Sequence, residues 1–260
     1  MNIDIDPLAP WIRPDEQCVA LTADFRLIQR IKGHRYSVDD MLVAHLACTE
    51  SVAPQRVLDL GCGIGSVLLT AAWVWHSARL VGVEAQAEHV ALAKRNVLLN
   101  GCQDRVEILH GDLRDRALVS SLGSFDLVTG TPPYFDPRAA TPCADTQRAF
   151  AQFELRGGIE AYAAAAARVL SPDGVFVTCA SALDPDRARA AFRSANLGVR
   201  SFRAVLPREG KPPFLQLLVG VQGACSTDER APLVLRLADG RRSPEHIDIR
   251  QWAGIACGPW

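Results

Sequence analysis

The chain has 260 residues, 48% of them hydrophobic and 22% charged. That describes one ordinary globular domain with terminal additions, and its longest apolar runs, such as "VLLTAAWVW", fall short of a membrane span. A net charge of −1 offers no global attraction to nucleic acid, so any RNA binding has to come from a local patch of Lys and Arg.

The acidic, proline-broken start "MNIDIDPLAPW" reads as neither a signal peptide nor a basic transit peptide. Residues 17–34 alternate loosely, like a small hairpin, and residues 38–48 read as a short helix. From residue 55 strands and helices alternate. "RVLDLG" is a strand, "SVLLTAAWVWHS" a mostly buried helix and "RLVGVEA" a second strand. "AEHVALAKRNVLLNG" is a helix with Val90, Ala93 and Val97 on one face and Asn100-Gly101 as its C-cap. "RVEILHGD" and "SFDLVTG" are strands joined by a short connection. An alanine-rich helix follows, stopped by Ser171-Pro172-Asp173-Gly174, then the strand "VFVTCA" and the helix "DPDRARAAFRSANLG". "VRSFRAVL" and "FLQLLVGVQ" are joined by "PREGKPP", too short for a crossover helix, which makes them an antiparallel pair. In the tail, "LVLRLADGRR" reads as a second hairpin with a D-G turn, followed by a short amphipathic stretch.

This alternation specifies an α/β, Rossmann-like sandwich with a seven-stranded, mostly parallel sheet and an antiparallel last strand. Three parts are expected: residues 1–50 as an N-terminal hairpin and helix covering the ligand site, 51–222 as the core, and 223–260 as a C-terminal hairpin and tail packed on it. In such sheets ligands sit beyond the carboxyl ends of the strands. The eight cysteines form no C-x-x-C pair and no cluster with His, which argues against a zinc site or a disulfide framework and suits a reducing cytoplasm. The expectation is therefore a cytoplasmic protein without a metal or a membrane partner, with a monomer favoured.

"VLDLGCGIG" places Gly61, Gly63 and Gly65 where the first core strand turns into a helix. Glycines there permit positive φ and let a ligand touch the backbone near a helix N-terminus. The spacing is G-x-G-x-G, not the G-x-G-x-x-G of a dinucleotide site. Asp59, inside the strand end, would repel a pyrophosphate and suits a ligand with a free ammonium. Glu84, about 20 residues beyond, can accept both ribose hydroxyls. Asp112, in "HGDL", is positioned to receive an adenine amino group. A lone carboxylate is more often a cap or a surface charge. Three at successive strand ends, beside a glycine loop, describe S-adenosylmethionine.

With those residues in place the chain resembles the class I methyltransferases, and "TPPYF" is similar to the Asn/Asp/Ser-Pro-Pro-Tyr/Phe motif of their amino-methylating members. "GHRYSVDDMLVAH" resembles the N-terminal segment of the bacterial tRNA adenine-N6 methyltransferases, "ATPCADTQRAF" their variable substrate loop and "LVLRLADGRRSPEH" their terminal hairpin, so the likeness spans residues 17–250. The resemblance implies cofactor contacts from Ser37, Asp39, Asp59, Gly61, Gly63, Gly65, Glu84, Ala85, Asp112, Leu113 and Thr131. It implies a catalytic set of Thr131, Pro132, Pro133 and Tyr134, with the ring of Tyr134 stacked on the base, and RNA, foremost tRNA, as partner.

One position departs: Thr131 stands where bacterial members carry Asn. A hydroxyl accepts a hydrogen bond from an amine but does not act at once as donor and acceptor in the manner of a carboxamide. Methylation of a protein amide or a small-molecule amine, and a cofactor- or RNA-binding member with weakened catalysis, remain as alternatives. Arg138, Arg148 and Arg156 after the motif, and Arg200, Arg203, Arg208 and Lys211 around the closing hairpin, are the candidate phosphate contacts.

Overall fold

The computed structural model describes residues 11–33, 35–134, 154 and 157–255. Its central strands are short apolar runs buried on both faces, as a covered parallel sheet requires. In β3 (Arg56–Leu60) the side chain of Val57 faces one hydrophobic cluster, while Leu58 and Leu60 belong to the other. The strands β4 (Arg79–Glu84), β5 (Val106–His110), β6 (Phe125–Gly130) and β7 (Leu170–Ser181) run parallel to it. β8 (Leu197–Leu206) and β9 (Leu215–Gln222) form the expected antiparallel pair, with β9 also antiparallel to β7.

One face of the sheet is covered by α1 (Val38–Glu50), α2 (Ser66–Val74) and α3 (Ala87–Leu99). The other is covered by α4 (Arg116–Ser121), α5 (Ile159–Val169) and α6 (Pro185–Ser194). The alanines of α5 let it lie close: Ala163, Ala165 and Ala166 are buried, and Tyr162 is the one buried aromatic among them. Among the described residues no helix is long and apolar enough to cross a membrane.

The main sheet has eight strands, not seven, in the order β10-β8-β9-β7-β6-β3-β4-β5. The extra strand, β10 (Asp228–Val234), lies parallel to β8 where a hairpin was expected. The D-G turn does form, with the Leu237 N–H donating to the Arg241 carbonyl at 2.8 Å, but its arms share a single bridge, Arg236 to Arg242. Burial explains the outcome. Leu233 and Leu235 are sequestered, and the free edge of β8 supplies both the core and the backbone partners that an isolated two-stranded ribbon lacks. Pro232 sits at the register shift between Arg230 and Leu233, where an edge strand tolerates it. A second difference concerns the Ser171–Gly174 stop. β7 starts at Leu170, opposite Phe125, and resumes pairing at Val175 opposite Leu127, so the four residues bulge within the strand.

β1 (Glu16–Ala20) and β2 (Arg26–Arg30) make the N-terminal antiparallel hairpin. Two asparagines one turn apart, Asn96 on α3 and its C-cap Asn100, continue the hydrogen bonding of that hairpin. Asn96 Oδ1 accepts from the Ile28 N–H at 2.7 Å, and Nδ2 donates to the carbonyls of Ile28 and Ile64, both at 3.0 Å. Asn100 does the same for the N–H and C=O of Arg26, both at 2.8 Å. Arg95 forks onto the buried carboxylate of Glu16 at 2.7 and 2.9 Å.

Candidate active site

The loop after β3 turns through three left-handed residues, Gly61 (φ 62°), Gly63 (φ 54°) and Gly65 (φ 91°), which side chains would disfavour. Gly65 is the N-cap of α2. The turn brings the Gly63 N–H onto Glu84 Oε2 at 3.0 Å, while Oε1 accepts from the Gln86 N–H at 2.7 Å. Glu84 is thereby clamped between the loops that follow β3 and β4. Burial pushes its carboxyl upward, but His89, 3.7 Å away, and the two backbone donors outweigh that and hold it below the usual range.

Two cavities adjoin along the carboxyl ends of β3 to β6 and share Gly61, Glu84, Gln86, Pro133 and Tyr162. The first adds Ala85, Asp112 and Leu113. The second adds Asp40, Gly63, Ser66, His89 and Thr131. Among the described residues neither wall contains Lys or Arg, and Asp40, Glu84 and Asp112 contribute carboxyl groups. A phosphate-free, cationic ligand with ribose hydroxyls fits that donor and acceptor set; a dinucleotide does not.

The other expected residues fall into place unevenly. Thr131 and Pro133 line the cleft, and Pro132 is buried. The ring of Tyr134 is half-buried against the core on the α1 side, and its hydroxyl is hydrogen bonded to Asp39. Burial and the neighbouring Asp39 both push the phenol up. Ser37 caps α1 and bonds Asp39 and Asp40, so of this N-terminal segment it is Asp40, rather than Ser37 or Asp39, that reaches the cavity wall. Burial, with Asp39 beside it, lifts the Asp40 carboxyl to about 8.

Asp59 belongs to neither wall. It is buried, accepts the Thr129 hydroxyl at 2.8 Å, and is raised to about 7 by desolvation. Gly65 likewise faces Leu69 and Ala93 instead of the cleft. Asp112 is gripped by Arg114, whose Nη2 and Nε lie 2.6 and 2.9 Å from it, a pairing that strand-end reasoning does not anticipate. Of the basic candidates, Arg200 is paired with Glu50 at 2.7 Å and Arg203 with Glu245 at 2.5 Å. Arg138, Arg148, Arg156 and the stretch "ATPCADTQRAF" lie outside the described residues.

Tyr162 is the bulkiest of the cleft residues that sequence reasoning missed, beside Ser66, Gln86 and His89. Its ring lies between Gly61 and Gly130: a Cβ on Gly61 would collide with its hydroxyl oxygen and stand 3.0 Å from Cζ, and one on Gly130 would stand 2.7 Å from Cδ1. The bare face of Gly61 therefore accommodates a protein side chain as well as opening onto the cleft. The available signal was the buried stripe Ile159, Tyr162, Ala163, Ala166, in which one aromatic interrupts small residues.

Glu84→Ala should weaken S-adenosylmethionine binding by about 1.5–3 kcal/mol, the scale of hydrogen bonds to a charged group, because Glu84 lines both cavities and its oxygens organise the two loops. Calorimetry checks this, and unchanged affinity would remove Glu84 from the site.

Comparison with known proteins places these features in context. Residues 57–174 match the model of a methyltransferase domain. The chain is 29% identical over 228 residues to the tRNA1(Val) (adenine(37)-N6)-methyltransferase of Porphyromonas gingivalis strain W83, covering 84% of this chain and 87% of that protein. It is 30% identical over 207 residues to the protein of the same name from a second strain, covering 76% and 79%. Among solved structures, an Agrobacterium tumefaciens protein described as a predicted O-methyltransferase superposes with a TM-score of 0.65 at 22% identity, over 86% of this chain and all of that one. This last likeness establishes the fold.

Proposed function

Because the chain belongs to the tRNA1(Val) (adenine(37)-N6)-methyltransferase family, and is thus an S-adenosylmethionine-dependent methyltransferase, we propose that its substrate is adenine N6 in the anticodon loop of a tRNA. The observation that carries this reading is the position of Thr131. It leaves the carboxyl end of β6 and shares one cavity with Glu84 and the glycine loop, which sets a hydroxyl acceptor beside the cofactor residues.

The cofactor, when bound, supplies an electrophilic methyl group. Gly61, Gly63 and Glu84 hold and orient it, with Ala85 and Leu113 flanking the part of the cleft that ends at Asp112. The exocyclic nitrogen of adenine is a poor nucleophile because its lone pair is delocalised into the ring. Thr131 Oγ1 accepts a hydrogen bond from one of its two N–H groups, drawing the nitrogen toward sp³ and freeing the lone pair. Pro132 and Pro133 fix the corner, so the acceptor is preorganised and needs no rearrangement at the moment of reaction. One hydroxyl serves an amine; it is a poorer match for a carboxamide, which presents a donor and an acceptor together.

Incubation with labelled S-adenosylmethionine and, separately, tRNA, other RNA and bulk protein tests the assignment. Label in tRNA, recovered as N6-methyladenosine by nucleoside mass spectrometry, is expected. Label in protein alone would overturn it.

A further inference from the structure

Resting on the tRNA reading, we propose that the turns 207–213 and 235–243 form one preorganised docking surface for the phosphate backbone of the substrate RNA. In a chain of net charge −1, these two turns hold Arg208, Lys211, Arg236, Arg241 and Arg242 against Glu209 and Asp239, that is, five positive and two negative charges for a net of +3. Most other arginines near the sheet are neutralised: Arg187, Arg189, Arg200, Arg203 and Arg230 all make carboxylate pairs. Arg208 and Lys211 are exposed and make no such pair among the described residues.

The turns are distant in sequence but stapled together. The Glu209 N–H donates to the Arg236 carbonyl at 2.8 Å, Glu209 Oε2 accepts from the Ala238 N–H at 3.1 Å, and Arg236 Nη1 donates to the Gly240 carbonyl at 2.7 Å. Glu209 and Arg236 thus brace the scaffold and Arg241 pairs with Asp239 at 2.7 Å, while Arg208 and Lys211 project from it. A surface fixed in this way loses little conformational entropy when it meets a polyanion.

Topology puts the surface on the correct side of the molecule. The turn 207–213 leaves the carboxyl end of β8, and 235–243 leaves that of β10, which is parallel to β8. β9 begins opposite Ser181, at the carboxyl end of β7, itself parallel to β6. Both turns therefore lie along the same edge of the sheet as Thr131. Three and four strand spacings separate β6 from β8 and β10, about 14–19 Å at 4.7–4.9 Å each. A base held at Thr131 would leave the flanking backbone of its own stem within reach of the cations, and phosphate contacts of this kind position an RNA while the pocket reads the base.

The test is the double variant Arg208→Ala/Lys211→Ala, both exposed positions, with full-length protein and a tRNA transcript. Equilibrium binding and methylation are measured across a salt series. The expected result is a KM for tRNA raised about 10-fold and a salt slope lowered by about 1.4–1.8, since each phosphate neutralised by a cation adds roughly 0.7–0.9 to that slope, with kcat at saturating tRNA and the cofactor Kd unchanged. If the wild type methylates tRNA and the double variant binds it with the same affinity and slope, the docking surface is overturned and the tRNA reading stands. If the wild type neither binds nor methylates tRNA, both fall.

Discussion

Thr131→Val should lower the single-turnover rate of methyl transfer by about 10²–10³-fold, the loss that accompanies removal of one preorganised group at a reacting centre. Valine keeps the branched shape and volume of threonine, so the half-buried corner between Gly130 and Pro132 is preserved. What disappears is the hydroxyl of a residue that lines the cavity together with Glu84 and Ser66. Cofactor affinity should change little, because valine keeps the shape of the Thr131 contact and the other contacts expected to hold the cofactor come from the loops after β3, β4 and β5. Thr131→Ser restores an acceptor on the same atom and should retain much of the rate. Thr131→Asn supplies the amide oxygen of the resembling enzymes and should hold or raise it. Rapid-quench measurements with labelled cofactor and excess enzyme distinguish the four proteins, and a valine variant as fast as wild type would exclude the hydroxyl as the acceptor.

Gly61→Ala should be the most destabilising single-methyl substitution in the cleft, at roughly 2–4 kcal/mol: about 1–3 for overpacking and 1–2 for a left-handed residue carrying a Cβ, with partial relief by relaxation. The residue sits at φ 62°, and the new Cβ would run into the Tyr162 hydroxyl and lie 3.0 Å from Cζ. The ring cannot retreat, since Gly130 backs it on the other side and α5 is packed on the sheet. At about 2–4 °C per kcal/mol for a chain of this size, the melting temperature should fall by roughly 5–15 °C. Tyr162→Phe removes the atom that collides first, so Gly61→Ala should cost less in that background. A double-mutant cycle read by calorimetry then gives a coupling above about 1 kcal/mol. Additive effects would mean that ring and loop do not meet.

The parts of this molecule that are legible in the sequence are those written in local pattern. The runs of β3 to β6 alternate between two buried faces, and the glycines at 61 and 63 and the prolines at 132 and 133 mark where the backbone has to turn. What lies at a strand's carboxyl end follows from topology alone, so the cleft can be located before any side chain is placed. Partner choice is not legible, because it depends on which elements meet. Asp112 is held by Arg114, Asp59 by Thr129 beside it on β6 and the Tyr134 hydroxyl by Asp39, and each of these bonds needs a loop shape or a strand register that hydrophobic periodicity does not specify. β10 departs from expectation for the same reason. Its own turn chemistry favours a hairpin, and the open edge of β8, contributed by a segment some 30 residues earlier, offers more burial.

The two asparagines at the C-terminal end of α3 give the N-terminal hairpin a property that its own two strands could not. A lone ribbon of two five-residue strands is marginal in water and would ordinarily fray on its own. Here the backbone of Arg26 and Ile28 is bonded to carboxamides on a helix, and the amide of Asn96 also holds the carbonyl of Ile64 in the glycine loop. Peeling the hairpin away would strand the buried Asn96 with unpaired polar groups, a penalty of about 1–3 kcal/mol for each. The hairpin accordingly has no cheap private opening. It is expected to open only together with α3 and the loop at Ile64, so its amides should exchange with solvent as slowly as those of the core.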